Sequence, residues 1–180
     1  MTAQAEIAFD TDRDYEVIDG ILEEKMAGGK HGRTIMRLGA RLQMHVEARN
    51  LGDIYSPDTT FQIGQNERLP DLAFVSAERV PEDGVPEGKW GIAPDLAVEV
   101  ISPNDPWEKV NSKVAAYFAA GVREVWLVSL GQRTISIYHS LTQIRILKED
   151  DELTSEELLP GFRCRVSEIF GQPVSDDSVV

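Results

Sequence analysis

The chain has 180 residues, 42% hydrophobic and 27% charged, with a formal net charge of −13 and a pI near 4.6. A chain of that size fits one compact domain with a real core, and aliphatic runs spaced by turn residues exclude a disordered polypeptide. The longest apolar runs, residues 96–101 and 125–130, are too short to cross a bilayer, and residues 1–6 lack the basic and apolar parts of a secretory signal; a cytoplasmic protein with no membrane partner is expected.

Cys164 is the single cysteine, so an internal disulfide or a thiolate metal cluster is excluded and a packing role is expected. Strong acidity opposes steering toward phosphate backbones. The charge is uneven, however. Glu149, Asp150, Asp151, Glu152, Glu156 and Glu157 form one acidic stretch, and Asp176 and Asp177 lie near the end; without those eight the balance moves from −13 to −5.

In chain order, Tyr15 to Glu24 reads as two short strands about an Asp19-Gly20 turn, a dipeptide that tolerates the positive φ of a tight hairpin. Ile35, Leu38, Leu42 and Val46 recur at helical spacing, with Asn50-Leu51-Gly52 as a stop. Residues 59–63 and 72–75 read as neighbouring strands, with 64–70 a turn between them and 78–94 a connecting loop. The nearly all-apolar run 96–101 suits a central strand covered on both faces. Asp105 is expected to cap a helix over about 106–120, with Pro106 at its first position and Trp107, Val110, Val114 and Phe118 as its apolar stripe. Strands at 122–130, 134–138 and 144–147 follow, then a small helix near 167–170 and a loose tail at 173–180. The order implies one mixed α/β domain over 1–180, with its core at about 10–172.

Within that frame Glu99 is conspicuous, an acid in the middle of an aliphatic strand. A buried carboxylate is costly unless a cation or donors compensate, so Glu99 is either paired with an Arg or Lys or holds a metal ion. Alternation puts it on one strand face with Ala97 and Ile101, opposite Leu96, Val98 and Val100. Asp71 opens another short apolar strand after Pro70. Two carboxylates on adjacent strands can hold a hard divalent cation that also takes phosphate oxygens. Gly28-Gly29 is not followed by Gly-Lys-Ser/Thr, so P-loop chemistry is unsupported, and Tyr117, Phe118 and Trp126 read as core rather than base-stacking residues.

Taken together, Tyr15 to Gly20, His31, Arg68-Leu69-Pro70-Asp71-Leu72-Ala73-Phe74-Val75, Pro94-Asp95-Leu96-Ala97-Val98-Glu99-Val100-Ile101-Ser102-Pro103, Lys113 to Tyr117 and Gly121 to Val128 resemble the Uma-type restriction-endonuclease family, a branch of the PD-(D/E)XK nuclease superfamily. The resemblance spans roughly residues 15–140. It implies a restriction-endonuclease-like fold, a central mixed β-sheet flanked by helices, and a metal-dependent endonuclease cutting nucleic acid, DNA in preference to RNA. It further implies Mg²⁺, with Mn²⁺ as an alternative, held by Asp71, Glu99 and a main-chain carbonyl near Val100. The superfamily places a lysine where Ile101 stands; in this branch the matching lysine is Lys113 on the following helix, which would aid the attacking water. Glu24 would complete the metal shell, and His31 would contact phosphate or transfer a proton. Proteins of this type also pair, so a homodimer is expected. The missing lysine at Ile101 and the acidic surface motivate a second reading, a nuclease-like fold turned binding or assembly module.

Overall fold

A computed structural model describes residues 15–24, 28–103 and 105–171, the side chains of Glu23 and Glu24 excepted. The opening hairpin pairs β1 (Tyr15–Ile18) with β2 (Ile21–Glu24), and Asp19 and Gly20 take φ of 51° and 78°, as the Asp-Gly turn requires. Helix α1 (Gly29–Glu47) buries Ile35, Leu38, Leu42 and Val46. It hands over to β3 (Gly52–Tyr55) at Gly52, where φ is 142° and an added Cβ would lie 2.1 Å from the Val75 carbonyl oxygen, so only glycine fits.

After these come β4 (Phe61–Ile63), β5 (Asn66–Arg68), β6 (Leu72–Ser76), a 3₁₀ turn (Ala77–Arg79), β7 (Leu96–Ile101), α2 (Trp107–Ala119), β8 (Glu124–Ser129), β9 (Thr134–Tyr138), β10 (Ile144–Leu147), β11 (Glu152–Ser155), β12 (Leu159–Arg165) and α3 (Val166–Phe170). Six strands form a mixed sheet in the order β10-β9-β8-β7-β6-β3; β7 and β8 run parallel, joined through α2, and the other neighbours are antiparallel. Smaller sheets have the orders β2-β1-β5-β4 and β11-β12.

The alternation read in β7 separates two cores. Leu96, Val98 and Val100 join α1, β12 and α3 on one face, while Ala97 packs with Val110, Val114 and Tyr117 of α2 on the other. Each aliphatic side chain so buried contributes about 1.5–3 kcal/mol, which fixes the register of the central strands and carries Glu99 onto the α2 face. On the opposite face, an added Cβ on Gly39 would sit 3.0 Å from Leu72 Cδ2, so α1 runs close over the start of β6. Among the described residues no helix is long and apolar enough to cross a membrane.

Several local expectations give way to tertiary structure. The span 64–70, read as a turn, contains β5, which pairs with β4 and, at Glu67, with β1. The strands β3, β11 and β12 carry no clean alternation in the sequence and form because neighbours supply the ladder. Asp105 does not cap α2: its Oδ2 turns back to accept the Ser102 N–H at 2.6 Å, and Pro106 is the cap position. Trp107 is 60% exposed, and Tyr117 is the fully buried aromatic of the stripe. The tail expected at 173–180 and the core expected before residue 15 lie outside the described residues. Cys164 is buried, and burial pushes its thiol up to about 11. Iodoacetamide at pH 8 should therefore label native Cys164 at least about a hundredfold more slowly than the urea-unfolded chain, because thiolate is the reacting form; equal rates would place the thiol at the surface.

Candidate active site

Pro70 has no N–H to give to the β6–β7 ladder, and beside it the Asp71 Oδ2 accepts the Val100 N–H at 2.7 Å. The antiparallel ladder pairs Leu72 with Val98 and Ala73 with Ala97, so one further step sets Asp71 across from Glu99 on the α2 face. His31, in the first turn of α1, brings Nε2 to 3.1 Å from Asp71 Oδ1.

Glu99 is held from α2. Lys113 and Tyr117 are one helical turn apart and so project from the same side. The Lys113 ammonium donates to Glu99 Oε2 at 2.9 Å, and the Tyr117 hydroxyl donates to Oε1 at 2.5 Å. Lys113 also lies 3.0 Å from Glu16 Oε1, on β1. Glu16 in turn accepts the Leu69 N–H at 3.1 Å and faces the Arg68 guanidinium at 3.6 Å. These groups open onto one cavity of about 260 Å³, whose wall includes Glu16, His31, Asp71, Glu99, Lys109 and Lys113.

The charges explain one another. Burial disfavours the charged Lys113 amine, but the Glu99 and Glu16 carboxylates outweigh it and hold the group as an ammonium, above its ordinary range. Tyr117 is pushed well up, first by burial and then by the Glu99 charge, so it stays a neutral donor. Among the described residues no three His, Cys, Asp or Glu side chains stand in an arrangement that could hold a metal ion; Lys113 occupies the space between Glu99 and Glu16.

The chain matches the model of the Uma2 family, described as putative restriction endonuclease, over residues 3–167. The chain belongs to the Uma2 family. No curated protein matches it. Among solved structures it is similar to a putative nuclease belonging to DUF820 from Anabaena variabilis, with a TM-score of 0.79 and 20% identity over 89% of this chain and 91% of that one. At that identity the likeness establishes the fold, and the restriction-endonuclease-like architecture read from the sequence stands.

In this Uma2-family chain the structure brings Asp71, Glu99, Val100, Lys113 and His31 to a single cavity. Glu24 lies on β2, and its side chain is outside those described. The hairpin acid that enters the cavity is Glu16, which the sequence reading did not single out. Its signal was present: on β1 it alternates with Tyr15 and Val17, so it faces away from both. Tyr117 is a core residue as the sequence implies, and its position one turn after Lys113 also brings its hydroxyl to Glu99.

Lys113→Met leaves two buried carboxylates without the cation between them and should cost about 3 kcal/mol of stability in urea unfolding. Tyr117→Phe, which removes one hydrogen bond to a charged acceptor, should cost about 2 kcal/mol. Losses near zero in both variants would mean that the network carries no stability.

Proposed function

We propose that the chain is a divalent-metal-dependent endonuclease that hydrolyses nucleic-acid phosphodiesters, with DNA preferred to RNA. The single observation that carries this reading is that Asp71 and Glu99, buried acids from neighbouring strands, line the same cavity as Lys113. The donor set suits a hard cation: carboxylate oxygens just before β6 and on β7 and a main-chain carbonyl at Val100, without soft ligands. Asp71 and Glu99 would hold Mg²⁺ or Mn²⁺, while Glu16 faces Glu99 across the Lys113 ammonium and would hold that lysine rather than the ion. Such an ion supplies stabilisation of charge on the phosphoryl oxygens and lowers the pKa of water.

The chain's own residues divide the remaining work. Asp71 is fixed through Val100 and His31, and Glu99 through Tyr117, so neither carboxylate has to be ordered when substrate arrives. Lys113, held as an ammonium, donates hydrogen bonds and offsets negative charge near the attacked phosphorus; it orients water rather than deprotonating it. His31 stands at the cavity wall, where it can donate to a phosphate oxygen. Pairing of two copies belongs to the same reading, supported by Ile144 and Ile146, exposed on the edge strand β10.

A second reading, a binding or assembly module of nuclease-like fold, is favoured by one observation: the Glu99 carboxylate is already paired with the chain's own Lys113 ammonium and Tyr117 hydroxyl. Supercoiled plasmid and single-stranded DNA incubated with Mg²⁺ or Mn²⁺ separate the two. Wild type should cut, and Asp71→Asn and Glu99→Gln should each lose at least about a hundredfold of the rate. Cutting that survives both substitutions sinks the metal-site reading, and no cutting of DNA or RNA by the wild type supports the module.

A further inference from the structure

In a chain with 31 carboxylates, residues 25–46 contain no Asp or Glu. That segment includes nearly all of α1, and it carries Lys30, Arg33, Arg37 and Arg41. Successive spacings of three and four place these cations along one flank of the helix, away from the buried Ile35, Leu38 and Leu42. Elsewhere the cations are largely neutralised: Arg68, Arg79, Arg123, Arg133 and Arg163 each meet a carboxylate. Among the described residues Lys30, Arg33 and Arg37 form no ion pair, and Nη1 of Arg37 is sheltered from solvent without a hydrogen-bond partner. Arg41, farther along, is paired with Glu168 at 3.3 Å, so the unneutralised cations belong to the first turns.

Their placement runs against helix stability. The N-terminal end of a helix carries partial positive charge, which favours acids there and penalises cations. Here the first turn has no acid, the cap residue Gly28 makes no side-chain hydrogen bond, and Lys30, His31 and Arg33 stand together. A local rule broken without compensation in the fold marks a functional constraint. The constraint is visible at His31, which lies between the exposed Lys30 and Arg33 and contacts Asp71 in the cavity wall. His31 shares the buried flank with Ile35 and Leu38, so the positive flank and the cavity wall meet around the first turn of α1.

We infer that the first turns of α1 are the track for a nucleic-acid phosphate backbone, with the exposed Lys30 and Arg33 neutralising successive phosphates and delivering the strand past His31 to the cavity. The inference rests on the nuclease reading and supplies the binding surface that an acidic chain otherwise lacks. Recognition is of the backbone and independent of base sequence, because long flexible cations on a solvent-facing helix flank contact phosphates without reading base edges. At a rise of 1.5 Å per residue, Lys30 and Arg33 are about 4.5 Å apart along the axis, so the first turn of α1 presents both cations to the strand.

Binding and cutting are separated by using the full chain carrying Asp71→Asn and measuring fluorescence anisotropy of a labelled single strand and a labelled duplex across a salt series. Replacing Lys30→Gln and Arg33→Gln together should weaken binding about tenfold at low salt and lower the slope of log affinity against log salt by about 1.5–2, whatever the base sequence. Arg145→Gln with Lys148→Gln removes the same charge at β10, the sheet edge opposite β3, and should leave the slope unchanged. Melting should show Lys30→Gln/Arg33→Gln at least as stable as its parent, since repulsion from the helix dipole is relieved; a purely structural role would lower the melting temperature. Oligonucleotide binding with an unaltered slope would overturn the track while leaving the nuclease reading intact. Absence of binding at low salt, or capture of anionic lipid vesicles but not oligonucleotides, would also overturn it, and plasmid cutting by the unsubstituted chain reports separately on the nuclease reading.

Discussion

The ammonium of Lys113 between Glu99 and Glu16 is the interaction on which the rest of this molecule depends. It ties together three elements that share no ladder: the central strand β7, the crossover helix α2 and the opening hairpin. Apolar packing brings α2 against the sheet and sets the face on which Glu99 lies, but it leaves the carboxylate there without a partner. The carboxylate sits there at a cost of several kcal/mol unless it is paired. Because one lysine answers two acids, moving any one of the three elements exposes a charge to a dry interior. The cavity is thus defined by electrostatic necessity as much as by shape.

Much of this arrangement is legible in the sequence where a residue's neighbours along the chain are also its neighbours in space. The Asp19-Gly20 hairpin, the α1 stripe, the strands at 134–138 and 144–147, and the face occupied by Glu99 all follow from period and turn chemistry. Asp71 and Glu99 could be singled out because an acid inside an aliphatic strand contradicts its surroundings. Glu16 offered no such contradiction; on a short, half-buried strand it resembles a solvated residue, and its partner Lys113 belongs to another element. The strands β3 and β5 were obscure for a related reason, since edge and connecting strands take their conformation from the neighbour that supplies hydrogen bonds. Asp105 shows the local rule failing in another way: two acceptor geometries competed for one carboxylate, and the Ser102 amide won over the helix end.

Net charge is a poor description of this surface. Much of the acidic stretch near β11 is consumed internally, with Glu149 on Arg133 and Glu152 and Glu156 on Arg163, so it holds loops together. Other acids are interior struts: Asp95 accepts the Ser76 amide and meets Arg79, and Glu124 accepts from Trp126 and Ser155. The helix α1 stands apart from this pattern, with its positive flank turned outward and its apolar stripe turned in.

The hydrogen bonds that build the cavity span long stretches of chain. Glu16 meets Leu69 across 53 residues, and Asp71 meets Val100 across 29. Closing loops of that length costs entropy that is recovered only when the distant partner is already in place. A nascent chain that has just emerged through β6 therefore carries Glu16, His31 and Asp71 without the strand and helix that give them neighbours. The constellation comes into being only once β7 and α2 have docked, so a partly made chain has Glu16 and Asp71 but neither Glu99 nor the site.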